Sequence, residues 1–192
     1  MPIKRVFIDV ETSGLDEREH GIIQVSGKIT EDDKNIAEFN FTPRLYTTDI
    51  FDKRSIESHG ISEEVARSKE RMSPSIIYHE LKDTFNSIVG RYNRKDKMFF
   101  IAYNATFDDR FMRALWDKNE DKYYGSLFWW PPIDLASIAG HYLAKIRATL
   151  PNFKLKTSAK VLGISIDESR LHDSMYDIEI TEEIYKKLNT RI

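Results

Sequence analysis

Val6-Phe7-Ile8-Asp9-Val10-Glu11 is the run from which the rest of the chain is read. Val6, Ile8 and Val10 alternate with Phe7, Asp9 and Glu11, the period-two pattern of a β-strand. That period places both carboxylates on one face of the strand. Two acids set among Ile8, Val10 and Phe7 are costly to bury unless something neutralises them. A divalent cation is one such partner, and an oxygen-only ligand set suits Mg²⁺ or Mn²⁺. The simpler alternative is an exposed strand face with solvated acids.

Two further strand candidates follow, Ile22 to Ile29 and Ile36 to Thr42. Asp32-Asp33-Lys34-Asn35 supplies turn chemistry between them. Three sequential strands with short connections predict an antiparallel meander. The chain then turns helical. Ser62 to Arg67 starts on a capping-type Ser with Glu63 and Glu64 in the first turn. Pro74 to Val89 carries Ile77, Leu81, Phe85, Ile88 and Val89 at helical spacing, with Gly90 as its stop. Met98 to Tyr103 reads as a buried strand. Asn104 is expected to cap the next helix, in which Phe107, Phe111 and Leu115 recur every four residues. Residues 117–126 read as a polar loop. Ile133-Asp134-Leu135 reads as a short strand or helix start, followed by a helix through Leu143. A short helix over Leu155 to Leu162 ends at Gly163, and the last runs from about Ser174 to Leu188, burying Ile178, Ile184, Tyr185 and Leu188. Strands first and strand–helix alternation afterwards predict an α/β fold, a mixed sheet flanked by helices.

The 192 residues fit a single domain, read here as 1–192 without internal repeat or linker. Hydrophobic residues make up 41% and charged residues 31%, a globular balance. The net charge of −2 argues against a protein held to nucleic acid by bulk positive charge. It does not exclude a nucleic-acid substrate, because bound cations reverse the sign of an acidic site. Without cysteine, disulfides and thiolate metal sites are excluded. No segment resembles a secretory signal or a membrane span, so a cytoplasmic protein without membrane contact is the expectation.

Two more clusters carry chemistry. In Asn104-Ala105-Thr106-Phe107-Asp108-Asp109-Arg110-Phe111, a strand ends and a helix begins, the place where ligands gather in α/β sheets. Asp108 falls in the first helical turn, where the macrodipole favours an anion; stabilising that helix start is the alternative role. In His172-Asp173-Ser174-Met175-Tyr176-Asp177, His172 and Asp177 are five residues apart, about 140° around a helix. His172 is therefore read in the preceding loop and Asp177 on the helix.

Taken together and in order, IDVETSGLD at 8–16, NATFDDRF at 104–111 and HDSMYD at 172–177 resemble the three exonuclease motifs of the DEDDh (DnaQ-like) family. That family includes the proofreading epsilon subunit of bacterial DNA polymerase III, RNase T and oligoribonuclease. Its patterns, roughly DxE(T/M)(T/S)G, NxxFDxxF and Hx4D, all match. His59-Gly60-Ile61-Ser62 and the stretch Leu155 to Ile164 also resemble the family's middle and late segments. The resemblance implies an RNase H-like fold with a central mixed five-stranded sheet, the meander plus two further strands. It implies that Asp9, Glu11, Asp108 and Asp177 ligate two Mg²⁺ or Mn²⁺ ions and that His172 is the general base. Asp109 and Asp173 lie beside the motif positions and are not carried over. Elementary chemistry is consistent with these roles. Two metals about 4 Å apart activate a water and stabilise the leaving oxygen, and an imidazole of pKa near 6.5 takes the water's proton.

For substrate contacts, Thr12, Gly14 and Leu15 follow the first acids. Gly14 permits close backbone approach to a nucleotide, and in similar enzymes an apolar residue like Leu15 wedges against a base. His59, Asn104 and Phe107 are further candidates; Phe107 is read as core first, from its spacing to Phe111. Tyr123, Tyr124, Phe128, Trp129 and Trp130 are read as covering the core rather than stacking on bases. Lys154, Lys156, Lys160, Arg110 and Arg113 are placed either against phosphates or on a solvated face. The expected function is a 3′→5′ exonuclease releasing nucleoside 5′-monophosphates from single-stranded or frayed DNA 3′ ends, with a polymerase as a candidate partner and the oligomeric state open. Thr12 tilts the reading toward DNA, since methionine is usual there in oligoribonucleases. The alternatives are a 3′→5′ exoribonuclease of RNase T or oligoribonuclease type, and an inactive nucleic-acid-binding module.

Overall fold

The computed structural model describes residues 2–90, 92–170 and 173–189; His172 lies outside them. The three leading strands are β1 (Lys4–Thr12), β2 (Ile22–Glu31) and β3 (Lys34–Phe41). They form the expected antiparallel meander, with Asp9 opposite Ser26 and Ser26 opposite Asn40. The β2–β3 turn is tighter than the sequence suggested. Only Asp32 and Asp33 form it, with φ of 45° and 66°, and Glu31 pairs with Lys34. Positive φ at both central residues matches the twist of the flanking strands, and aspartate tolerates that conformation.

Short helices α1 (Ile56–His59) and α2 (Glu63–Ala66) lead into α3 (Pro74–Ile88). Ser62 caps α2, its hydroxyl accepting from the Val65 N–H. Next come β4 (Phe99–Ala102), α4 (Ala105–Lys118), β5 (Ile133–Asp134) and α5 (Leu135–Tyr142). The run Ile133-Asp134-Leu135 is thus both things the sequence suggested, a two-residue strand that turns at once into a helix. The chain continues into α6 (Leu155–Val161), ended at Gly163 with φ 76°, and α7 (Ser174–Asn189). The five-stranded sheet runs β3-β2-β1-β4-β5, with β1–β4 and β4–β5 parallel. This is the mixed α/β sheet expected.

Helices cover both faces. Val6, Ile8 and Val10 pack with Ile77, Leu81 and Phe85 of α3 and with Phe111, Met112 and Trp116 of α4. Phe7 packs on the other face with Leu135 and Ala139 of α5 and with Ile178, Ile184 and Leu188 of α7. Tyr185 is only partly buried, its hydroxyl accepting from Arg5 Nε at 3.0 Å. Tyr124 and Phe128 are in the core, whereas Tyr123 and Trp130 are exposed. Residues 117–126 are more ordered than a polar loop, because α4 runs on to Lys118 and a 3₁₀ turn spans Tyr124–Ser126. Among the described residues no helix is long and apolar enough to cross a membrane.

Because β1 and β4 are parallel, their carboxyl ends reach the same edge of the sheet, where α4 starts. The start of α4 departs from the sequence reading. Asn104 occupies the cap position with φ 72°, but its side chain caps nothing. The acceptor comes from thirty residues on: Asp134 Oδ1 accepts from the Asn104 N–H at 3.0 Å and the Ala105 N–H at 3.4 Å. The same carboxylate accepts from the Ala136 N–H at 3.0 Å and the Ser137 hydroxyl at 2.7 Å, capping α5 as well. One side chain thus satisfies orphan donors at two helix starts. Asp134→Ala is expected to cost about 2–3 kcal/mol in urea unfolding, and Asp134→Asn, which keeps one acceptor, to recover most of it. A loss below about 0.5 kcal/mol for the alanine variant would contradict the double cap.

Candidate active site

At the edge where β1 ends, Asp9 and Glu11 project from the face they share with Phe7. The ladder to β2 shifts register between Glu11 and Thr12, so the strand bends away immediately after the second acid. Asp108, in the first turn of α4, is 4% exposed and its Oδ1 accepts from the Val10 N–H at 3.1 Å. That bond ties the third carboxylate to the backbone between the first two. The fourth, Asp177, arrives on α7. Its helix is fastened to β2 by Ser174, whose Oγ meets Ser26 Oγ at 2.7 Å and accepts from Gln24 Nε2 at 2.8 Å. Further along, Glu182 pairs with Lys28 at 2.7 Å.

These acids repel one another in a place with little water. Burial pushes Asp9 well above the usual carboxylate range, and Glu11 and Asp177 push it further. Burial and then Asp177 raise Glu11 to about 7. Asp108 is raised by burial and by Asp9 despite the N–H groups of Val10 and Asp108 itself, which favour its ionised form. Among the described residues, no three carboxylate or imidazole groups already converge at coordination geometry. Asp9, Glu11, Asp108 and Asp177 are neighbours through repulsion, and what they offer a cation is a set of oxygen-only donors, Asp108 buried and the other three half-buried. That chemistry fits a hard divalent ion.

Asp9, Glu11 and Asp108 open into a cleft of about 420 Å³, which Asp177 does not itself line. Of the residues singled out in the sequence, Asp9, Glu11, Thr12, Gly14, Leu15, His59, Phe107 and Asp108 line it. Leu15 is 75% exposed at its rim, an apolar side chain left in water. Phe107 does two jobs, lining the cleft while its ring lies 4.8 Å from that of Phe111 at the edge of the core. Thr12 is turned inward, its hydroxyl donating to the Gly14 carbonyl at 2.7 Å. Gly14 borders the cleft, but its lack of a side chain has another cause: a Cβ there would overlap the His20 ring. His59 closes α1, and its Nδ1 accepts from the Ile61 N–H at 3.0 Å. In the neutral ring the proton is then on Nε2, which is buried, with the ring beside the Thr12 backbone. Burial lowers the His59 pKa, so the ring is neutral at pH 7.

Asn104 faces a neighbouring groove, not the cleft. Asp109 turns into the core, where it accepts from the Tyr124 hydroxyl at 2.9 Å. Asp173 accepts from the Met175 N–H at 3.0 Å at the start of α7. Tyr103, Asp52 and Arg54 also line the cleft and were not anticipated. Tyr103 had one visible signal, its position at the end of a buried strand. The Asp52–Arg54 ion pair, at 2.7 Å, had none.

The sequence model of the RNase T family, described as exonuclease, matches residues 6–185. Ribonuclease T of Buchnera aphidicola subsp. Baizongia pistaciae is 24% identical over 195 residues, an alignment covering 97% of this chain and 83% of that protein. The DNA polymerase III epsilon subunit of Rickettsia conorii is 25% identical over 191 residues, covering 97% and 74%. Among solved structures, exonuclease I of E. coli in complex with a dT13 oligonucleotide superposes with a TM-score of 0.76 at 21% identity. It covers 98% of this chain, which spans 41% of the length of that one, and the likeness establishes the shared fold. With the matched span running from the first strand into the last helix, the chain belongs to the RNase T family of exonucleases.

Proposed function

We propose that this exonuclease, a single domain, releases nucleoside 5′-monophosphates from the 3′ ends of single-stranded or frayed DNA. The observation that carries the reading is the gathering of mutually repelling carboxylates at one cleft: Asp9, Glu11 and Asp108 line it, and Asp177 is near enough to raise both Asp9 and Glu11. An isolated group of this kind is unstable as anions and calls for cationic partners. Asp9, Glu11, Asp108 and Asp177 are the residues that would hold two Mg²⁺ or Mn²⁺ ions. Bound there, such ions supply charge neutralisation at the phosphate and a nucleophilic water at neutral pH.

The chain's own side chains do the rest. His172, five residues before Asp177 in sequence, takes the proton of the attacking water. Leu15 and Phe107 offer apolar faces to the terminal base across the cleft. The neutral His59 lines the cleft beside Thr12 and would border the terminal nucleotide there. Thr12 and Gly14 keep the backbone after Glu11 close to the terminal nucleotide. Two features favour DNA: Thr12 at the position where oligoribonucleases usually carry methionine, and the dT13 oligonucleotide named for the similar exonuclease I. The ribonuclease T relative supports the second reading, a 3′→5′ exoribonuclease, in which contacts to the 2′-OH decide. The epsilon relative suggests a polymerase as partner.

Incubation with 3′- and 5′-labelled single-stranded DNA and RNA, in Mg²⁺, Mn²⁺ or chelator, tests the reading. Stepwise loss of the 3′ label as mononucleotide, faster on DNA and abolished by chelator, is expected. Internal cuts or metal-independent cleavage would overturn it. His172→Ala is expected to lower kcat by roughly 10²–10⁴ with unchanged thermal stability; full activity would remove the assigned base. Glu11 gives a test without turnover. Its folded pKa of about 7 lies above its unfolded value of 4.5, so its favourable contribution is complete below the unfolded value. That contribution is lost as pH rises through about 7, to a penalty on the order of 3 kcal/mol. In chelator at pH 8, Glu11→Gln should therefore melt higher than the wild type, by up to roughly 10 °C. The gap should close by about pH 5, and Mg²⁺ should stabilise the wild type more than the variant. A gap absent at pH 8, or constant with pH, would contradict the electrostatics.

A further inference from the structure

A second, wider groove of about 870 Å³ adjoins the carboxylate cleft, and Tyr103 lines both. Asn104, Gly140, Phe153, Arg147 and Lys154 also line the groove. Its charge is the reverse of the cleft's. Its one carboxylate, Asp134, is occupied on both oxygens by the helix starts it caps. Its two cations are uncommitted. Among the described residues neither Arg147 nor Lys154 pairs with an acid, whereas Lys156 and Lys160 of the same segment both pair with Glu168.

Arg147 is also held in place. Its guanidinium carbon lies 4.2 Å from the Phe153 ring centroid. Gly140 leaves room for it, since a Cβ there would stand 3.1 Å from Nη1. A guanidinium stacked on a ring keeps its N–H edges for a planar anion such as phosphate. The wall behind is fixed too: the Tyr103 hydroxyl donates to the Phe153 carbonyl at 3.1 Å and meets Ser158 Oγ at 2.6 Å. Tyr103 feels both Asp134 and Arg147, so the two border the junction between cleft and groove.

We propose that this groove is the track of the nucleic-acid strand upstream of the scissile bond, with Arg147 and Lys154 holding backbone phosphates of a single strand. The inference rests on the exonuclease reading of the cleft and extends it: the groove makes the enzyme prefer a polymer over a dinucleotide. A strand whose last phosphodiester lies at the acids must leave the cleft, and the groove shares the Tyr103 wall with it and carries cations that pair with no acid among the described residues. Asn104, exposed in the groove, is then a contact of the upstream strand and not of the terminal nucleotide.

Fluorescence anisotropy with labelled dT2 and dT8, each phosphorothioate at the terminal linkage, tests the track in Mg²⁺ at several salt concentrations. Arg147→Ala/Lys154→Ala is expected to weaken dT8 on the order of tenfold and to leave dT2 within about twofold. The slope of log Kd against log salt should fall by about 1.4, two single-strand phosphate contacts at about 0.7 each. Lys156→Ala/Lys160→Ala removes the same charge from paired positions and is expected to leave dT8 binding nearly unchanged. Equal losses on dT2 and dT8, an unaffected dT8, or the same loss in both double variants would overturn the track. Hydrolysis of 3′-labelled DNA by the wild type is scored in parallel. Its absence counts against the exonuclease chemistry, while the length comparison still decides the groove.

Discussion

Four carboxylates that cannot all ionise without help are the constraint around which this fold is arranged. Asp9 and Glu11 stand two residues apart on one strand face, Asp108 is bonded to the peptide between them, and Asp177 is brought over by the last helix. Water would relieve their repulsion, but the elements that carry them belong to the core. Val6, Ile8 and Val10 anchor one face of the strand, Phe7 the other. The acids sit at the end of the packed layers, where the sheet stops and a cleft begins. Core packing therefore supplies the work of holding like charges together, and the polar bonds at Ser174 and Glu182 keep the last helix from drifting outward.

Much of this was legible in the residues themselves. The alternation from Val6 to Glu11, the Asp-Asp turn and the four-residue spacing of Phe107, Phe111 and Leu115 are local patterns, and each element formed close to where its pattern lies. The three acidic motifs were readable as a set because their order along the chain matches their convergence at one sheet edge. What stayed hidden depends on residues far apart in sequence. Asn104 has the chemistry of a cap, yet its left-handed backbone leaves the donors of α4 to Asp134. Nothing near position 104 could indicate that.

The basic residues show the same limit. Lys154, Lys156 and Lys160 look equivalent in sequence, as three cations around a short helix. Glu168 takes two of them and leaves the third. Arg147 carries no local motif; what distinguishes it is a ring six residues ahead and a glycine seven behind. Charge counting on the chain therefore misses how charge is divided, with acids massed in the cleft and free cations beside them. A net charge of −2 hides that separation.

The contact between Gly14 and His20 has a further consequence. The imidazole fills the space in which any side chain at position 14 would begin, and it is itself held by backbone atoms of Asp16. The two positions are thus tied in the order in which they can change. A larger residue at 14 is admissible only after the ring at 20 has shrunk or turned, whereas a smaller residue at 20 is free to appear first. What position 14 can carry is therefore set by where the ring at position 20 lies, a dependence imposed by shape alone.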